Sequence, residues 1–307
     1  MKNTLETEFK ALGTDIYIQL VLDNRDQERN ARKDLAKLKR LYFSKQKILN
    51  RFDENSELSF LNGNLKKFHK ASPDLILIAK KSLYYNEATS GIFDPRILEV
   101  LEANGYKISF GDINFEQLFL KSLPKIKSTK LNDDLKIKGD KVYFGRKMDF
   151  NGIAKGYITD LAADFLKKRG WENFLIDSGG DMHLEGFNNE NRAWKISLED
   201  YPEEKMMLSL SNKAIATSGI SRKQWKVKEK KFHHLINPSN PSQYSFNLKS
   251  VTVIKKTAEE ADVFAKTLFL MGKSRGVKYS NLHGFASIFL DQKNTIWLSD
   301  KIKPYTQ

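Results

Sequence analysis

The chain has 307 residues, 40% hydrophobic and 29% charged, the balance of a globular protein with material for a large core. It contains no cysteine, which excludes disulfides, zinc–thiolate centres, thiol nucleophiles and lipidated cysteines. Its net charge of +14, from 52 basic against 38 acidic residues, admits a nucleic-acid partner on charge alone. The lysines are nevertheless spread along the chain. The densest cluster, Arg222 to Lys231, has Trp225 and Phe232 as a candidate stacking patch, but no helix-turn-helix, ribonucleoprotein or zinc motif accompanies it. A basic face that draws in an anionic ligand is the better reading, with no nucleic acid. Apolar runs such as Leu75 to Ala79 and Leu268 to Met271 are too short to span a bilayer, so no membrane insertion is expected. The opening Met1-Lys2-Asn3-Thr4-Leu5-Glu6 lacks the apolar run of a leader, and a cytoplasmic location is expected.

In chain order, Phe9 to Leu20 ends in a β-rich run and reads as a strand. Arg25 to Leu49 reads as a long helix, with Leu35, Leu38, Leu41, Tyr42 and Ile48 at helical spacing. Ser56 is placed to cap a short helix. Ser72-Pro73-Asp74 is a helix start, with a cap, a proline at the first helical position and an acid in the first turn; Gly91 ends that helix. Phe93-Asp94-Pro95 is a turn in which Asp94 either caps or touches a ligand. Leu135 to Phe144 reads as a hairpin through Gly139-Asp140.

The stretch Met148 to Asp160 stands between a strand and a helix predicted to reach about Arg169. Gly152 and Gly156 allow close backbone approach, and Lys155 sits where the helix begins. Free N–H groups, the positive end of the helix dipole and a lysine suit an anion such as phosphate. No Walker or dinucleotide-binding glycine pattern is present. Further on, Phe174-Leu175-Ile176 is a short buried strand leading into Asp177-Ser178-Gly179-Gly180-Asp181, where Asp181 is an acceptor for a hydroxyl or an amine. Ala214 to Gly219 is read as a second strand end of the same kind. Such glycine turns gathered in one chain point to loops around a ligand. His233-His234, before Asn237-Pro238, is a candidate for acid/base or phosphate-binding chemistry, set against a buried, hydrogen-bonded strand histidine. Ser250 to Ile254 reads as a strand. Thr257 to Met271 reads as a helix with Thr257 as its cap, Gly272 at its end, and Asp262 and Lys266 placed for a surface ion pair. Phe285 to Leu290 and Thr295 to Leu298 form a final hairpin.

Taken in order, these segments resemble the FAD:protein FMN transferase (ApbE) family. The likeness runs from Ala11-Leu12-Gly13-Thr14 through Ser56-Glu57-Leu58-Ser59 with Asn62, Gly91 to Pro95, Asp149 to Asp160, Ser178 to Asp181 and Ala216 to Gly219. His234 to Pro238 and Ala261-Asp262 complete it. The resemblance implies an α+β fold related to the T-fold over residues 1–307 as one domain, with two interleaved lobes and a flavin nucleotide groove between them. It implies that an acceptor protein's threonine or serine hydroxyl attacks the FMN-side phosphorus of FAD and AMP leaves. The acceptor flavoprotein is then the partner. An FAD pyrophosphatase and a flavin-binding protein without transfer are the alternatives.

By the same resemblance His234, Lys155 and Asp262 are the catalytic set. Asn62, Phe93, Asp94, Lys155, Gly156, Asp181, Thr217, Ser218, Gly219 and His234 line the nucleotide site. Magnesium is held by Asp262 and by carbonyls at Ala154 and Ala265. Lys266 stands where the family has a threonine ligand. Lysine offers no oxygen to a hard cation, so its ammonium either partly replaces the metal's charge or points aside. Asn237 stands where the family usually has aspartate, followed by Ser239-Asn240-Pro241 in place of threonine-glycine.

Overall fold

The computed structural model describes residues 1–106, 130–198, 201, 206–227 and 229–306. Strands β1 (Asn3–Ala11) and β2 (Thr14–Leu22) form a hairpin whose turn, Leu12-Gly13, takes positive φ at both residues, 55° and 71°. The segment read as one strand is therefore a hairpin. Helix α1 (Glu28–Leu49) follows and buries Ala31, Leu35, Leu38, Tyr42 and Leu49, a stripe at the 3.6-residue period. Helix α2 (Glu57–Gly63) is capped as expected, since Ser56 accepts the Ser59 N–H at 3.1 Å. Strand β3 (Phe68–Lys70) leads to α3 (Pro73–Ala88), where Ser72 accepts from Leu75 N. Short helices α4 (Leu98–Ala103) and α5 (Leu131–Asp134) then precede the hairpin β4 (Leu135–Lys138) and β5 (Lys141–Phe144). That hairpin turns at Gly139 with a φ of 61° and carries β3 on its open edge.

Helix α6 (Ala154–Lys168) is followed by β6 (Phe174–Ser178) and β7 (Asp181–Glu185), joined by Gly179-Gly180 at φ 65° and 95°. This is the two-residue turn whose backbone twist suits a hairpin. After the hairpin β8 (Trp194–Ser197) and β9 (Met207–Leu210) comes β10 (Lys213–Gly219), then the hairpin β11 (Gln224–Val227) and β12 (Lys230–His233). Strand β13 (Leu248–Lys255), helices α7 (Ala258–Met271) and α8 (Lys273–Leu282), and strands β14 (Ala286–Asp291) and β15 (Ile296–Leu298) complete the order. Ala214 to Gly219 is therefore a strand that ends at its glycine as expected, but Gly219 still pairs with Ser250 and forms no glycine turn.

One antiparallel sheet of eight strands, ordered β1-β2-β6-β7-β10-β13-β14-β15, carries the molecule. Period-2 alternation divides its side chains between two cores. Ile16, Ile18 and Leu20 of β2, Val251 and Val253 of β13 and Phe289 of β14 face a helical layer that includes α1, α6 and α7. Val21, Ile254, Ile288 and Leu290 point the other way, where Trp194, Ile196, Leu208, Leu210 and Ile302 cover them. A smaller core joins Ile97, Val100, Leu101 and Tyr106 to Trp225, Val227 and Phe232 of the β11–β12 hairpin. This last core corrects the stacking-patch reading. Trp225 is buried, its indole N–H donates to the Asn104 carbonyl at 2.9 Å, and its ring stacks on Phe232 of its own hairpin. Lys228 of that cluster lies outside the described residues.

Candidate active site

A cavity of about 580 Å³ opens between the end of the large sheet and the layer formed by α4 and the β11–β12 hairpin. Motifs far apart in sequence meet on its wall. Leu12-Gly13-Thr14 comes from the first hairpin turn, Ala154-Lys155 from the start of α6 and Gly179-Gly180 from the β6–β7 turn. Thr217, Ser218 and Gly219 come from β10, and Asp262 and Lys266 from α7; His234 follows β12. Gly179 is required here on two counts: its φ is positive, and an added Cβ would run into the Thr14 side chain.

The lining is chemically mixed. Leu12, Leu49, Phe52, Ile97, Leu101 and Tyr106 supply its apolar part. There the Arg51 guanidinium lies 4.0 Å from the Phe52 ring centroid and 4.7 Å from that of Tyr106. The same guanidinium pairs with Asp149 at 3.0 Å, both side chains being almost fully buried. Asp149 also accepts the Asn151 N–H at 2.7 Å. It thus pins the loop that leads into α6, a role the sequence did not disclose, because Arg51 lies so far away in the chain.

A second group of side chains on the wall is ionic. Asp181 accepts the Lys155 ammonium at 2.6 Å. Burial opposes the charge on Lys155, but Asp181, then Asp262, outweigh it and raise the amine above its ordinary pKa. Asp262 is pushed up to about 7, chiefly by burial and then by the Asp181 charge; Lys155, Lys266 and the Gly156 N–H work the other way. A carboxylate of the protein therefore holds an N–H at the start of α6, where an anion was expected. One oxygen of Asp262 remains buried without a hydrogen-bond partner. Lys266 lies across Gly152, where an added methyl would meet its ammonium, and forms no ion pair with Asp262 among the described residues. The expected surface pair is thus replaced by two cavity-lining groups of α7.

His234 follows a strand whose last residue, His233, is buried. Its Nδ1 lies 3.4 Å from the Lys223 carbonyl. A carbonyl only accepts, so Nδ1 carries the proton and Nε2 keeps its lone pair. Burial, then the charges of Lys223 and Lys266, hold the imidazole well below its usual pKa. The neighbouring His233 bonds the Ser245 carbonyl at 3.1 Å among the rings of Tyr244, Phe246 and Phe269. The pair thus divides into one core histidine and one cavity histidine.

Several expected site residues lie off the cavity wall. Asn62 is buried, and its amide is used in both directions by the backbone of Met148, at 2.9 and 2.8 Å. Phe93 belongs to the core beside Tyr85. Asp94 caps the turn before α4 and grips Arg96 at 2.7 Å. Gly156 and Ala265 are packing positions, Gly156 against α7 and Ala265 inside the core. Asp181 stands behind Lys155. Lys223 and Thr14 were not singled out in the sequence. A lysine in an irregular segment has no periodicity to mark it, whereas Thr14 sat inside a motif whose glycine was the visible signal.

Fold and site together define an α+β protein with a cavity whose lining combines lysines and a histidine with aromatic and aliphatic side chains. The ApbE family model matches residues 12–289, and the chain belongs to that family. It is similar to the FAD:protein FMN transferase of Vibrio cholerae serotype O1, 29% identical over 165 residues, which cover 52% of this chain and 49% of that protein. The corresponding protein of Buchnera aphidicola is 28% identical over 280 residues, covering 85% of this chain and 80% of its own length. The fold is similar to that of the Pseudomonas stutzeri flavinyl transferase ApbE in its apo form, with a TM-score of 0.83 at 19% identity and coverage of 100% and 98%. Among the described residues, no helix is long and apolar enough to cross a membrane.

Proposed function

We propose that this chain is an FAD:protein FMN transferase, moving FMN from FAD to a threonine or serine hydroxyl of an acceptor flavoprotein. The observation that carries the reading is the cavity itself. A neutral histidine whose Nε2 keeps its lone pair shares one pocket with Lys155, Lys223 and Lys266 and with Phe52 and Tyr106. Aromatic side chains suit a planar ring system, and the lysines suit the phosphates joined to it.

The residues divide the work of an in-line displacement, in which positioning and charge neutralisation outweigh covalent help. The acceptor oxygen bonds to the FMN-side phosphorus while the anhydride P–O bond breaks and AMP leaves with that bond's electrons. His234 Nε2 takes the hydroxyl proton, and the Lys223 carbonyl holds the ring in the tautomer that can do so. Lys155, steadied by Asp181, meets the phosphates. Thr217 and Thr252 bond to each other at 2.8 Å on paired strands and stiffen the wall beside them.

A magnesium ion fits the donor set in a sparse form. Asp262 offers a buried, unpartnered oxygen, and Ala154 lines the same cavity. Among the described residues no group of three His, Cys, Asp or Glu side chains is placed to hold a metal ion. Magnesium tolerates such sites by keeping waters and sharing the substrate's phosphate oxygens. When bound, it would neutralise phosphate charge.

Intact-mass measurement of an acceptor domain after incubation with the protein, FAD and magnesium tests the reading. A gain of one FMN, absent with His234→Ala, is expected. AMP release without any gain on the acceptor would make the protein an FAD pyrophosphatase. FAD binding without either product would leave a flavin-binding protein.

A further inference from the structure

The cations on the cavity wall are not evenly neutralised. Lys155 has Asp181 at 2.6 Å and Lys10 has Asp15 at 3.6 Å, while Lys266 and Lys223 pair with no carboxylate among the described residues. The stem of Lys266 is laid over Gly152 on the α7 side. Lys223 comes from the opposite wall, in the segment between β10 and β11, and its carbonyl bonds His234. Its partly buried side chain faces the like charges of Lys155 and Lys266 and the opposite charges of Asp181 and Asp149. A cation without a counter-ion of its own, beside the histidine and facing two other cations, is held in readiness for an anion.

We propose that Lys223 is the positioning residue that takes the phosphate charge of the bound nucleotide and holds the anhydride against His234. This rests on the flavin transferase reading and adds a named residue to it. Breaking an anhydride between two phosphates leaves a phosphodiester on the acceptor and a monoester on the departing nucleotide. Negative charge therefore grows on the departing phosphate as the bond lengthens, while the hydroxyl proton passes to His234. An ammonium not already spent on a carboxylate gains most from that growth.

Proton linkage makes the idea measurable. Burial, then Lys155, depress the Lys223 amine to about 8. A phosphate beside it reverses that shift, so nucleotide binding on the alkaline side takes up a proton.

The test is calorimetric titration of FAD into the full chain without acceptor, in buffers of different ionisation enthalpy, at about pH 6.5 and about pH 8.5. Wild type is expected to bind more weakly at the higher pH and to take up more protons there, beyond any share from Asp262, which lines the same cavity. Lys223→Met is expected to weaken binding roughly ten- to a hundredfold, the worth of one charge-assisted contact, and to lower the uptake at the higher pH. Lys223→Arg, charged throughout, should bind tightly at both pH values with the same lowered uptake. Thermal melts establish that both variants fold. Wild-type affinity and proton uptake in Lys223→Met would overturn the proposal. Equally weak binding by Lys223→Arg would reduce the residue to packing and overturn it too. Wild type that fails to bind FAD at either pH would instead sink the flavin reading.

Discussion

At the scale of single residues, two adjacent histidines of identical chemistry have opposite surroundings. Because burial and two lysines hold His234 well below 6.5, its imidazole is neutral in the free protein at and somewhat below neutral pH. The acid limb of kcat/KM for FMN transfer should therefore lie below 6.5, and Lys223→Met, which removes a like charge, should move it upward. A pH–rate profile of both proteins checks this; an acid limb above 6.5 in wild type would contradict it. Lys266→Met removes the ammonium that faces Asp262, so magnesium titrated without nucleotide should bind more tightly to the variant than to wild type. Equal affinities would mean that Lys266 is too far aside to matter. At this scale the sequence was half legible. Residue type marked His234, Lys155 and Asp262, which share the cavity, but also Asn62 and Asp94, whose polar groups are consumed by Met148 and Arg96. A polar side chain satisfied by its own backbone neighbours looks the same in sequence as one that awaits a ligand.

At the scale of elements, the crossing of α6 and α7 decides where Lys155, Asp262 and Lys266 stand. Gly156 makes that crossing close. A Cβ there would lie 2.5 Å from the Ala258 carbonyl oxygen and 2.6 Å from Glu259 Cα, both backbone atoms unable to swing away. Gly156→Ala should therefore destabilise the fold by about 1–3 kcal/mol, although alanine is the better helix former by about 1 kcal/mol. Urea denaturation checks the sign. At Gly152 the obstacle is the flexible end of Lys266, so Gly152→Ala should cost less stability and displace the lysine instead. The N-terminus of α7 is held from two directions: Asp160 of α6 accepts the N–H groups of Ala258 and Glu259 at 2.8 and 2.9 Å, and Thr257 accepts that of Glu260. Thr257→Ala should cost about 1 kcal/mol by the same measurement. The cap was legible in sequence, since Thr257 directly precedes its helix. The Asp160 clamp was not, because it joins residues 98 positions apart.

At the scale of the whole molecule, the cores on either face of the sheet set the conditions under which it survives. Burial lowers His233 from 6.5 to about 4. Below 6.5 the unfolded chain binds a proton that the folded one refuses, so stability falls as pH drops from about 6.5 toward 4, by on the order of 3 kcal/mol from this residue. His233→Gln should flatten the fall in melting temperature over that window; an unchanged slope would place the acid sensitivity elsewhere.

By itself the sequence determined the helices with their caps, the Leu135–Phe144 and final hairpins and the order of the glycine-bearing motifs. Caps, periodicity and turns are written within a few residues of where they act. Only the tertiary structure decided that Phe9 to Leu20 folds back on itself, that Gly219 stays paired at the end of its strand and that Trp225 is a core residue. The same holds for the convergence of Lys155, Lys223, Lys266 and His234 on one cavity. Each depends on which distant segments pair and which charges end up facing one another once water has been excluded between them. No local pattern encodes that choice.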